Sequence, residues 1–145
     1  MIKVEHSVTI DRPPSKVFAY VSDAANLPEW QSTALEARWE TPEPIGVGSR
    51  AVEVRKFLGR RMESTMEVTA FEQDRELSFR VLDGPVPFEV TQKFEAVGGG
   101  TRIDVVLEGE PGGFFKLAEP LVARAAKRQL EGDSATMKDI LEARG

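Results

Sequence analysis

Gly109-Glu110-Pro111-Gly112-Gly113 breaks the chain and opens a helical run from Phe114 to Arg144. Almost everything between Leu35 and Glu108 reads instead as short alternating strands. One long helix after a run of antiparallel strands predicts a curved sheet closed over that helix, with a hollow between them. Pro120 starts the main helical segment, after a short helical turn at Phe114 to Ala118, because proline is tolerated in a first turn and not deeper. Leu121, Val122, Ala125, Ala126, Gln129, Leu130, Asp133, Met137, Ile140 and Leu141 then share one broad side. From Pro120 to Ala143 the helix would be about 36 Å long at 1.5 Å per residue, enough to cross a sheet.

Working back from the break, Thr101, Ile103, Val105 and Leu107 form a seventh strand, joined through Gly98-Gly99-Gly100 to a sixth. There Phe88, Val90, Gln92 and Phe94 alternate with Glu89, Thr91, Lys93 and Glu95. Leu77, Phe79 and Val81 mark the fifth, ending at Asp83-Gly84-Pro85. In the fourth, Met62, Ser64, Met66, Val68 and Ala70 share one face. The third runs from about Ser49 to Leu58, and its facing depends on the turn at Gly59. A three-residue turn puts Val52 and Val54 inside, whereas a two-residue turn at Leu58-Gly59 puts Glu53 and Arg55 there, since a one-residue slip reverses every side chain. The two valines favour the first arrangement. Leu35, Ala37 and Trp39 alternate as the second strand. Ile2, Val4, Val8 and Ile10 form the first, with His6 on the apolar parity. Asp11, Pro13 and Pro14 then start a helix carrying Val17, Phe18 and Val21, and Asn26 to Trp30 forms a second short helix or turn. Turns this short require antiparallel neighbours. No repeat or composition shift divides residues 1–145, so one domain is expected.

Nineteen basic against twenty-four acidic residues give a net charge of −5, which argues against nucleic acid as a general partner. Cysteine is absent and His6 is the only histidine, so a metal site would need carboxylates almost alone; none is expected. Neither a G-x-S-x-G elbow nor a P-loop or dinucleotide fingerprint occurs. The first residues contain no apolar core of signal-peptide length, and no stretch reaches the ~20 apolar residues of a membrane span. A cytoplasmic protein, a monomer or weak homodimer without cofactor, is the default expectation.

This order of elements resembles the START-like superfamily, also called SRPBCC, and within it the polyketide cyclase/dehydrase-like group. The carriers are Asp11-Arg12-Pro13-Pro14-Ser15-Lys16-Val17-Phe18 after the opening strand, Asn26-Leu27-Pro28-Glu29-Trp30, Gly46-Val47-Gly48-Ser49-Arg50, Glu67 to Glu72, and Gly98-Gly99-Gly100-Thr101-Arg102. The resemblance covers nearly the whole chain. It implies an α+β helix-grip fold, in which a seven-stranded curved antiparallel sheet wraps a long C-terminal helix, with two short helices between strands 1 and 2. No catalytic motif of a cyclase matches residue by residue, so none is carried over.

The inward parities nominate a ligand cavity lined by Trp30, Trp39, Met62, Ser64, Met66, Phe79, Phe88, Gln92 and Phe94, closed by Ala125, Gln129 and Met137 of the helix. Methionine adapts to varied shapes, and small-molecule pockets are mostly apolar with few oriented polar groups. A filled core would use the same side chains. Gly132 costs about 1 kcal/mol against alanine in a helix, which points to close approach, a kink or room for a ligand, or to a tolerated neutral glycine. His6 and Asp133 are candidate polar or proton-transfer groups, although a lone strand histidine is more often a satisfied core or rim residue. Arg55, Lys56, Arg60 and Arg61 cluster at one hairpin, where a charged, protected strand edge competes with steering of an anionic ligand. The expectation is binding of a hydrophobic or amphipathic small molecule. A polyketide cyclase or dehydratase using the same cavity is the first alternative, and a protein-interaction module with a filled interior the second.

Overall fold

The computed structural model describes residues 2–84, 86–110 and 114–144, with 114 and 115 described by backbone alone. Strand β1 (Ile2–Ile10) leads into helix α1 (Pro14–Ser22), a 3-10 turn (Ala24–Asn26) and helix α2 (Leu27–Trp30). Strands β2 (Ala34–Trp39), β3 (Arg50–Phe57), β4 (Arg60–Glu72), β5 (Glu76–Asp83), β6 (Phe88–Val97) and β7 (Gly100–Gly109) follow. Helices α3 (Phe114–Leu117) and α4 (Glu119–Arg144) complete the described chain. The strands form one antiparallel sheet in the order β1-β7-β6-β5-β4-β3-β2, curled around α4 in the helix-grip arrangement. Of the turns nominated above, Pro85 and Pro111 to Gly113 lie outside the described residues.

Turn chemistry sets the register. The β6–β7 hairpin turns on Gly98 and Gly99, with φ of 54° and 85°, values glycine adopts without a Cβ clash. The β3–β4 hairpin has the same two-residue form, with Leu58 at φ 50° and Gly59 at 78°. Phe57 therefore pairs with Arg60, Arg55 with Met62 and Glu53 with Ser64. This corrects the three-residue turn preferred from sequence: Glu53 and Arg55 face inward, and Val52 and Val54 face the other way. The valines misled because both parities of β3 are buried, Val52 at 5% and Val54 at 2% exposure. A leucine in the left-handed region costs about 1–2 kcal/mol, so the turn is one that local preference would not choose.

Strand β2 holds a second correction. A bulge between Ala34 and Glu36 shifts its register, so that Ala37 and Trp39 stay in phase with Glu53 and Ala51 while Leu35 is left 53% exposed. Simple alternation had placed Leu35 with them.

Helix α1 fills one end of the curled sheet. Val17 and Phe18 are buried against Ile10, Val68, Leu77, Phe94 and Ile103. The Phe18 ring meets Phe71 and Phe94 edge-on, with centroids 5.5 and 5.1 Å away. Helix α4, about 39 Å long at 1.5 Å per residue, buries Val122, Asp133, Ser134, Met137 and Leu141. Its C-terminal end is tied down by polar contacts: Lys138 Nζ donates to the Thr9 carbonyl at 2.6 Å, and the Asp11 amide donates to Glu142 at 2.8 Å. Arg144 pairs with Glu29 at 3.2 Å, and Tyr20 donates to the same carboxylate at 2.8 Å. Burial, then the Glu29 bond, pushes the Tyr20 hydroxyl up to about 12. Leu121, expected on the covered side, is 55% exposed, and Gly132 is solvent-facing, with nothing within 4 Å of an added Cβ. Gly132 therefore marks neither a close approach nor a ligand site.

Candidate functional site

The other half of the space between sheet and α4 is not filled by α1. A cavity of about 230 Å³ remains there, larger than the ~150 Å³ apolar void that accommodates one benzene ring. Its walls come from Ile2 of β1, the C-terminal end of α1 at Val21 and Ser22, Ala24 of the 3-10 turn, α2, the inward faces of β2 to β7 and the buried side of α4. Of the residues nominated from sequence, Trp30, Trp39, Met62, Met66, Phe79, Phe88, Gln92, Gln129, Met137 and Asp133 line it. The Trp39 ring lies 6.2 Å from that of Phe79, and its Nε1 donates to the Ser22 carbonyl at 3.1 Å. Gln92 donates to the Leu77 carbonyl at 3.4 Å.

Four nominated residues lie elsewhere, each for a local reason. Phe94 belongs to the packed end, against Phe18. Ser64 is covered by the loop after β5, where a Cβ on Gly84 would fall 2.6 Å from its Oγ. Ala125 sits one helical step off the lining, and Ala126 takes its place. His6 stays half-buried opposite Val105 on an edge strand that α4 packs against, and it is not among the lining residues, although Ile2 of the same strand face is.

One end of the cavity is polar, and most of it was not nominated. Arg55 Nε donates to Glu53 Oε1 at 3.0 Å, and its Nη2 lies 2.8 Å from the same oxygen. Nη2 also donates to Gln31 at 2.8 Å and Nη1 to Thr33 at 3.0 Å. Gln129 of α4 donates to the Thr33 hydroxyl at 2.8 Å, which ties helix to sheet through the same cluster. Beside it Asp133, 5% exposed, accepts the Ser32 amide at 3.0 Å. Burial raises the Asp133 carboxyl above the usual range, opposed by its bonds to Ser32 and Gln129 and by the Arg55 charge. The Glu53–Arg55 side chains are only 11% and 15% exposed; losing one partner would strand the other's charge out of water.

This end needed the β3 register for Glu53 and Arg55. Gln31 and Thr33 come from the α2–β2 connection, which has no periodicity to read. Among the described residues no cluster of three or more metal-ligating side chains occurs, and no helix is long and apolar enough to cross a membrane.

The sequence model of a family described as polyketide cyclase/dehydrase and lipid transport matches residues 1–142. An uncharacterised protein of Mycobacterium tuberculosis is 27% identical over 132 residues, covering 90% of this chain and 92% of the relative. A START superfamily protein of Mycobacterium smegmatis superposes with a TM-score of 0.82 at 17% identity, over 99% of both chains. An aromatase/cyclase from a Streptomyces species gives a TM-score of 0.79 at 14% identity, over 98% of this chain and 94% of that one. At these identities the structural matches establish the fold alone.

Proposed function

We propose, from the premise that this chain belongs to the polyketide cyclase/dehydrase and lipid transport family, that it binds an amphipathic small molecule between sheet and α4. Family and fold fit ligand binding or cyclase-type chemistry at this coarser level. The observation that carries the finer reading is an apolar cavity with polar groups gathered at one end. The ligand's apolar body packs against Trp39, Met62, Met66, Phe79 and Phe88, and its polar end meets Glu53, Arg55 and Asp133. Affinity comes mainly from apolar burial at about 25 cal/mol per Å², less the cost of ordering. An interaction module would need no such hollow.

Both tryptophans line the cavity, so their emission reports occupancy directly. Titration with long-chain alcohols, sterols and fused-ring phenols should perturb that emission for one class and raise the melting temperature. A ligand at about 100 times its Kd stabilises by about 2.7 kcal/mol. Silence across all classes in both measurements would end the proposal.

A catalytic second reading is favoured by one observation: two carboxyls and a guanidinium converge where a ligand's polar end would sit. Asp133, with its raised pKa, is then the group placed to give or take a proton. Asp133→Asn would abolish a detected turnover while binding survives; turnover unaffected by the change would remove Asp133 from any mechanism.

A further inference from the structure

Glu53, Arg55 and Asp133 are the charged residues among the described lining residues, and they set the charge that an entering polar group meets. The one cation is already engaged. Each nitrogen of Arg55 donates to protein, Nε to Glu53, Nη1 to Thr33 and Nη2 to Gln31, and Nη2 also lies 2.8 Å from Glu53 Oε1, which leaves one N–H on Nη1. Two carboxyls face one guanidinium, so the formal charge here is −1 with both ionised and zero with Asp133 protonated. While Glu53 stays ionised it is never positive.

A ligand carboxylate would enter as a further anion with no unpaired cation to receive it, having surrendered its hydration at the cavity mouth. A hydroxyl meets the site differently. It can accept the remaining Arg55 N–H and donate to a carboxylate; Glu53 engages Arg55 through Oε1, and among the described residues its Oε2 accepts no hydrogen bond. The raised pKa of Asp133 agrees with an environment that already resists negative charge.

Resting on the ligand-binding reading above, we propose that the cavity selects uncharged ligands ending in a hydroxyl, alcohols or phenols, over the corresponding carboxylates. The test is calorimetric titration of the full chain near pH 7 with naphthalene, 2-naphthol and 2-naphthoate, which share one apolar body. The expected result is naphthol binding at least about tenfold more tightly than naphthoate, with naphthalene in between. With Asp133 ionised, Glu53→Gln and Asp133→Asn each raise the local charge by one, so in titrations repeated up to about pH 8 naphthoate should gain on naphthol by about tenfold in either variant. Because Glu53→Gln disturbs a buried ion pair, the near-isosteric Asp133→Asn keeps the test decisive if the first variant folds poorly. Naphthoate binding as tightly as naphthol would overturn the selectivity while leaving the cavity reading intact. An unchanged preference in Asp133→Asn, and in Glu53→Gln if folded, would overturn its assignment to this charge cluster. Failure of all three compounds to bind would remove the cavity reading and this inference together.

Discussion

Replacing Ala126 by leucine asks whether the hollow is empty space or a packed interior, and the two answers differ in sign. Ala126 lies on the lined face of α4, beside about 230 Å³ of open volume. Leucine adds three carbons, each worth about 0.8 kcal/mol when removed from water, for an upper figure near 2.4 kcal/mol. Lost rotamer freedom and the slightly poorer helix propensity take back about 0.5–1 kcal/mol. A net gain of about 1–2 kcal/mol is expected, or about 3–7 °C in Tm for a chain of this length. In a filled interior the same change would overpack and lose about 1–3 kcal/mol. Val17→Leu supplies the control, because Val17 is 0% exposed in the packed end, where overpacking is expected. Urea denaturation with unchanged m-values reads both. If Ala126→Leu lowers the midpoint as Val17→Leu does, there is no void to fill.

Arg55→Met should destabilise by about 3–5 kcal/mol by leaving Glu53 charged and unpaired, and adding Glu53→Gln should recover most of that loss in a double-mutant cycle. Gly132→Ala should stabilise by about 0.8–1 kcal/mol in a chemical denaturation curve, since an added Cβ meets nothing within 4 Å and the helix gains a better former. The raised pKa of Asp133 makes the folded state hold its proton more tightly than the unfolded chain, so its contribution is most favourable at low pH and is lost as pH rises through the folded pKa. Asp133→Asn removes that dependence. The stability difference, variant minus parent, should therefore grow in the variant's favour as pH rises from about 4 towards neutrality; a flat difference would refute it.

Much of the cavity wall was legible because strand side chains alternate: Met62, Met66, Phe79, Phe88 and Gln92 follow from parity alone. Leu35 failed that rule because a bulge shifts the register midway through β2, and Ala125 failed because a helical face is broad enough to admit a one-residue error. Glu53 and Arg55 were in view as one of two registers. Their selection hinged on Leu58 accepting a left-handed conformation, which local preference opposes and only pairing along the whole of β3 and β4 enforces. Phe94 and Met66 look alike as inward strand residues, yet one packs on Phe18 and the other borders open space, because α1 reaches only one end of the sheet.

Periodicity and turn residues by themselves determined the element order, the antiparallel sheet and the long covering helix, since those depend on residues close together in the chain. Which inward side chains meet solid packing, which meet the hollow, and that Arg55 is paired with Glu53 and hydrogen-bonded to Gln31 and Thr33 beside Asp133 were decided by tertiary structure. These groups come from the α2–β2 connection, β3 and α4, up to 102 positions apart from Gln31 to Asp133, and no local rule carries charge balance or free volume across such a distance.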